Sequence, residues 1–105
     1  MKAYINAYKA LGISDSQGAR VIGVGRSTLL RKTEFAKDSK QSELQILFIR
    51  SYRSLYAIFG GDLISMRHWF DNDNSHIRGV PSQLCCTVSG MVNINAYLDA
   101  LRGKA

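Results

Sequence analysis

The chain has 105 residues, 46% of them hydrophobic, with 14 Lys and Arg against 8 Asp and Glu for a formal net charge of +6. That hydrophobic content excludes a disordered chain, and the length suits one compact domain or two very small ones sharing a core. The longest apolar stretch, Leu44 to Phe59, is broken by Arg50 and Arg53, so no segment suits a bilayer; with no signal-peptide order at the N-terminus, a cytoplasmic location is expected.

Lys2 to Leu11 reads as a first helix, with Tyr4, Tyr8 and Leu11 on one face and Gly12 as its stop. Ser14 suits the N-cap of a second helix, Asp15 to Ile22, with Asp15 favourable in the first turn. Gly18 inside that helix costs about 1 kcal/mol relative to Ala. Gly23-Val24-Gly25 makes a turn, and a third helix runs from Arg26 to about Thr33. Glu34 to Gln41 is polar, without a period, and reads as a connection. Ser42 to Phe59 is one long helix with an apolar stripe of Leu44, Leu47, Phe48, Leu55, Ile58 and Phe59. Gly60-Gly61 ends it, and Asp62 caps the next helix, Leu63 to Phe70, which turns Met66, Trp69 and Phe70 to the core. Asp71 to Gly79 is a polar loop. Pro81 opens a short helix reaching Cys86. Thr87 caps a last helix, Val88 to Arg102, whose stripe is Met91, Ile94, Leu98 and Leu101, and Gly103 follows. No strand or repeat is read. The predicted class is all-α, with six to seven helices in two small lobes.

The charge is unevenly placed. Residues 1–53 carry ten basic and four acidic side chains, whereas residues 54–105 carry four of each. All the net charge lies in the half that holds Gln17, Ala19, Gly23, Val24, Arg26, Leu29 and Arg31. Ala19, Gly23 and Leu29 have the spacing of a helix-turn-helix. A small residue lets two helices cross closely, Gly takes the turn, and Leu pins the second helix to the first. That second helix would present Arg26, Ser27, Thr28 and Arg31 to a DNA major groove, for base or phosphate contact. Arg20 and Lys32 are placed better for phosphate. A plain αα-hairpin carrying arginines has the same spacing.

Other residue types carry less. Adjacent Cys85 and Cys86 do not suit a structural disulfide and read as reduced thiols. His68 and His76 have no Cys or His partner at metal-ligand spacing, so no metal and no cofactor are expected. Ser65, His68 and Asp71 include triad residue types, but nearness in sequence is not triad geometry. Trp69, Tyr97 and Met91 suit a core better than a contact surface.

A second pattern runs from Ser51 to Arg102. Its fixed points are Leu55, Phe59-Gly60-Gly61, Trp69, a turn with Gly79, Pro81 and Leu84, then Thr87, Gly90, Ile94, Tyr97-Leu98 and Leu101. Their order resembles the toxin-binding domain of the Xre/MbcA/ParS antitoxins of bacteria, a family that often places this domain behind an Xre-like helix-turn-helix. The resemblance implies a non-enzymatic antitoxin. Its partner would be a RES-type toxin, an enzyme that attacks NAD or transfers its ADP-ribose. Its segment Tyr97 to Ala105 would cover that enzyme's site, with Tyr97, Leu101, Arg102, Gly103, Lys104 and Ala105 as contacts. It also implies repression of its own operon through double-stranded operator DNA, and a homodimer or a higher hetero-oligomer with the toxin. The expected division is a helix-turn-helix lobe over residues 1–41 and a toxin-binding lobe over residues 42–105. A stand-alone, prophage-type helix-turn-helix regulator without a toxin partner, or an interaction module that no longer binds DNA, remains open at this point.

Overall fold

The computed structural model describes residues 1–31 and 34–103. Seven helices are seen among them: α1 (Lys2–Ala10), α2 (Asp15–Val21), α3 (Arg26–Arg31), α4 (Lys40–Ile58), α5 (Leu63–Asp71), α6 (Pro81–Leu84) and α7 (Val88–Leu101). Side-chain caps set the start of most of them. Ser14, Ser39, Asp62 and Thr87 each accept a bond from a backbone N–H in the first turn of α2, α4, α5 and α7. Ser39 makes α4 begin at Lys40, two residues before the expected start at Ser42, so Lys40 and Gln41 are helical and not part of a connection.

α4 is the spine. α1 lies on it near its start, and α7 runs beside it in the same direction. Arg50 pairs with Asp99, and Arg102 Nη1 donates to Ser54 Oγ at 3.1 Å, so successive turns of the two helices meet. Inside this seam Ser51 Oγ donates to Asn95 Oδ1 at 2.9 Å, and Asn95 Nδ2 donates to the Leu47 carbonyl at 3.1 Å. These buried polar groups are paired, which removes most of their desolvation cost. An edge-to-face chain of rings, Tyr4 on Phe48 at 5.5 Å and Phe48 on Phe70 at 5.9 Å, ties α1, α4 and α5 into one core. Met66, Leu55, Met91, Ile94 and Leu98 complete it, together with Leu29 from α3.

Two expectations about the core change. Leu101 was expected to continue the buried stripe of α7, but it is 51% exposed because the core ends at Leu98, one turn earlier. Trp69 is only half-buried, lying against Tyr97 and not among the innermost side chains. In the loop after α5, Asn74 and Gly79 exchange an isolated antiparallel pair of backbone bonds, and Arg78 takes a left-handed φ of 59° to close it.

Candidate functional site

Two surfaces hold the residues singled out in the sequence. The first is the α2–α3 pair. The turn between them closes when the Val24 N–H donates to the Ala19 carbonyl at 3.0 Å, with Gly23 at φ 74°. Ala19 and Leu29 are buried between the helices. Gly18 is explained by its neighbours. A Cβ there would lie 2.7 Å from the Tyr8 ring, and its carbonyl accepts the Tyr4 hydroxyl at 2.5 Å. Tyr8 donates to Asp15 Oδ1 at 2.6 Å. Burial pushes both phenols well above their ordinary range, and the bond to Asp15 adds to the effect on Tyr8.

With α2 and α3 held in this way, Arg20, Arg26, Ser27 and Arg31 are exposed and Thr28 is half-buried. Lys32 lies outside the described residues. Leu30, which no sequence pattern singled out, is also exposed beside these cations.

The second surface is built by residues 54–103, and its sequence motif has a physical cause at each point. Gly60 and Gly61 end α4 with φ of 60° and 80°, a left-handed turn that side chains resist. Asp62 then caps α5 through the Ile64 and Ser65 N–H groups, and the Ser65 hydroxyl bonded to its carboxylate holds that group below its usual range. Pro81 occupies the first turn of α6, where its missing N–H costs nothing. The Leu84 side chain lies 3.1 Å from where a Cβ on Gly79 would be. The Leu84 carbonyl lies 2.0 Å from where a Cβ on Gly90 would be, so α7 can start here only with Gly at that position. Thr87 Oγ1 accepts the Gly90 N–H at 3.0 Å and completes the cap. The Ser82 carbonyl accepts Gln17 Nε2 at 2.6 Å, linking α2 to α6. The Cys85 thiol donates to the same oxygen at 3.2 Å, and burial raises its pKa.

The predicted contact residues are spread across this surface. The Tyr97 ring is stacked between Trp69, at 6.4 Å, and His76, at 5.5 Å, so it is half-buried in a ring stack. Leu101, Arg102 and Gly103 are exposed at the end of α7, with the Arg102 guanidinium leaning back onto Ser54. Lys104 and Ala105 lie outside the described residues. The sequence reading named no residues on the outer face of α7. Val88 is 61% and Val92 49% exposed, and Ala96 and Ala100 continue them on successive turns. α7 thus carries exposed apolar side chains along its outer face in addition to its buried stripe. The spacing of those four residues was a legible signal, hidden behind the stronger stripe of Met91, Ile94 and Leu98.

Among the described residues, no cluster of His, Cys, Asp and Glu could hold a metal ion, and no helix is long and apolar enough to cross a membrane. No curated protein matches the chain. Residues 54–104 match the family model described as the antitoxin Xre/MbcA/ParS C-terminal toxin-binding domain. The match begins late in α4 and runs through α7, the segment whose glycines, caps and ring stack have just been described. Residues 54–104 thus form a toxin-binding domain of the type found in the Xre/MbcA/ParS antitoxins, which are non-catalytic regulators.

Proposed function

We propose that the protein is the antitoxin of a RES-domain toxin, that it covers the toxin's NAD site, and that it represses its own operon. The observation that carries the toxin half is the exposed apolar face of α7 within the matched domain. Val88, Val92, Ala96 and Ala100 form a face that costs free energy in water and gains it against a partner, roughly 25 cal/mol for each Å² of apolar area removed from solvent. Leu101, Arg102, Gly103, Lys104 and Ala105 follow this face in sequence. Arg102 supplies a cation suited to an anionic nucleotide pocket, and Tyr97 shapes the adjoining ring stack. Placing Asp at Val92 buries an unpaired carboxylate in the complex and not in the free protein. Val92→Asp should therefore fold normally and fail to neutralise the toxin in a growth-rescue assay; full neutralisation by that variant contradicts the assignment.

The DNA half rests on the α2–α3 geometry and on the placement of charge. Arg26 and Arg31 on α3 would reach base edges or phosphates, Ser27 and Thr28 would add polar contacts, and Arg20 and Lys32 would grip the backbone. A bidentate contact to guanine carries about 1–3 kcal/mol of discrimination. The double variant Arg26→Ala, Arg31→Ala should therefore bind the operator at least tenfold more weakly in an electrophoretic shift assay. Wild-type binding should fall steeply as salt is raised from about 50 to 200 mM. A flat salt response leaves an interaction module without a DNA role. The proposed division keeps residues 1–41 for DNA and residues 42–105 for the toxin, joined by the Gln17–Ser82 bond.

A further inference from the structure

The DNA and toxin readings leave part of the positive charge unexplained. Arg50 and Arg53 belong to the basic half of the chain, yet they lie on α4 and not on the α2–α3 pair. They line a hollow of about 450 Å³ with Ile46, Ile49, Asp99 and Arg102. A second hollow of about 450 Å³ continues from Ile46 and Ile49 toward Glu34, Phe35 and Lys37, and a third of about 240 Å³ runs from Ile49 and Arg53 toward Ala3 and Asn6 of α1. The three share Ile49 and make one groove along the outer face of α4.

The spacing along this groove is that of a helix seam. Ser42, Ile46, Ile49 and Arg53 repeat at intervals of four, three and four residues, a stretch of about 16 Å at helical rise. Ile46 is 65% exposed. Arg53 makes no hydrogen bond or ion pair with any described residue. Asp99 is the single carboxylate lining the first hollow, and it is already paired with Arg50. The groove therefore offers an apolar floor and a net positive lining, with Arg50, Arg53, Arg102 and Lys37 against Asp99 and Glu34, and among these arginines Arg53 has no partner among the described residues.

We infer that the outer face of α4 is a docking groove for an acidic amphipathic helix of a partner protein, its apolar ridge on Ile46 and Ile49 and its carboxylates on Arg53, Arg50 and Arg102. Helix-in-groove recognition uses this arrangement of spaced apolar anchors. The charges decide between occupants. A second copy of this chain would bring a lining of the same net positive sign, which opposes pairing. A phosphate backbone would meet the arginines but leave the two isoleucines without an apolar partner. An acidic helix satisfies both. Ile46, Ile49, Arg50 and Arg53 all precede residue 54, so most of the groove lies outside the toxin-binding domain and meets it only at Asp99 and Arg102, the latter also a proposed toxin contact.

The test uses the full chain and a fluorescein-labelled peptide of about 16 residues, with Leu at alternating three- and four-residue spacing and Glu at the flanking positions. Fluorescence anisotropy should show saturable binding that weakens at least tenfold with Arg53→Glu or Ile46→Asp, and weakens as salt rises. A control peptide with Lys in place of Glu should bind at least tenfold more weakly than the Glu peptide. Both substituted side chains are exposed, and unchanged circular dichroism will separate lost docking from lost folding. Val92→Asp, on α7, should leave the affinity unchanged. Absent binding, equal binding of the two peptides, or undiminished binding by Arg53→Glu overturns the proposal. So does a dependence on Val92 alone, or preferential occupation of the Arg53 site by random-sequence duplex DNA.

Discussion

Gly90 shows how one residue carries a motif. In the sequence it stands three places after Thr87, the cap of α7, and in the fold its N–H donates to Thr87 Oγ1. In the fold it also passes the Leu84 carbonyl, which lies 2.0 Å from any Cβ placed there. Backbone cannot yield as a flexible side chain can, so Gly90→Ala must shift α6 against α7. Overpacking of this kind costs about 1–3 kcal/mol, and a backbone obstacle puts Gly90 at the upper end. Urea denaturation should show that loss; an unchanged midpoint would mean that the turn has slack. Gly18→Ala meets the Tyr8 ring instead, and its strain competes with a gain of about 1 kcal/mol in helix propensity. Capping was legible from Ser14, Asp62 and Thr87, because a cap is a local event. The obstacles at Gly18 and Gly90 were not, because they come from residues brought near only by the fold.

At the scale of elements, helix starts were easier to read than helix faces. Thr87 places the start of α7, and its oxygen satisfies a backbone N–H that would otherwise be left over. Thr87→Ala should cost about 1 kcal/mol, read as a lower melting temperature with the helical signal retained, and Thr87→Ser should restore most of it. Equal stability of Thr87→Ala and wild type would show that the cap contributes nothing. The face of α7 was harder. Its buried stripe was legible as far as Leu98, but Leu101 keeps the period and misses the core, because periodicity gives direction and not the edge of the packed region. The exposed stripe of Val88, Val92, Ala96 and Ala100 was equally periodic. Its residues went unnamed because a reading that seeks one buried face stops at the first. α4 repeats the lesson, with Phe48 and Leu55 turned inward and Ile46 and Arg53 outward on the same helix.

At the scale of the whole molecule, the two halves share one core, and the proton-binding groups inside it link its stability to pH. The phenols of Tyr4 and Tyr8 and the thiol of Cys85 are all raised by burial. In the unfolded chain a thiol ionises near about 8.5 and a phenol near about 10. The folded state holds these protons to higher pH, so the unfolded state binds fewer of them there, and stability falls as pH rises. Their contribution is complete below about pH 8 and is lost above it, first through the thiol and then through the phenols. Melting temperatures at about pH 7, 9 and 10.5 should fall in order, with a shallower drop in Tyr4→Phe; a flat profile contradicts the burial account. The Gln17–Ser82 bond joins the α2–α3 pair to the toxin-binding domain, placing the two proposed binding surfaces on one connected framework.

The central claim is that the outer face of α7 receives a RES-domain toxin. The most direct measurement is a tagged pull-down of the full chain from its native host at moderate salt, with wild type and Val92→Asp compared by quantitative mass spectrometry. The account predicts a stoichiometric RES-domain protein with wild type that is lost with Val92→Asp. Retention of that protein by Val92→Asp, or no stoichiometric RES-domain protein with wild type, would contradict it.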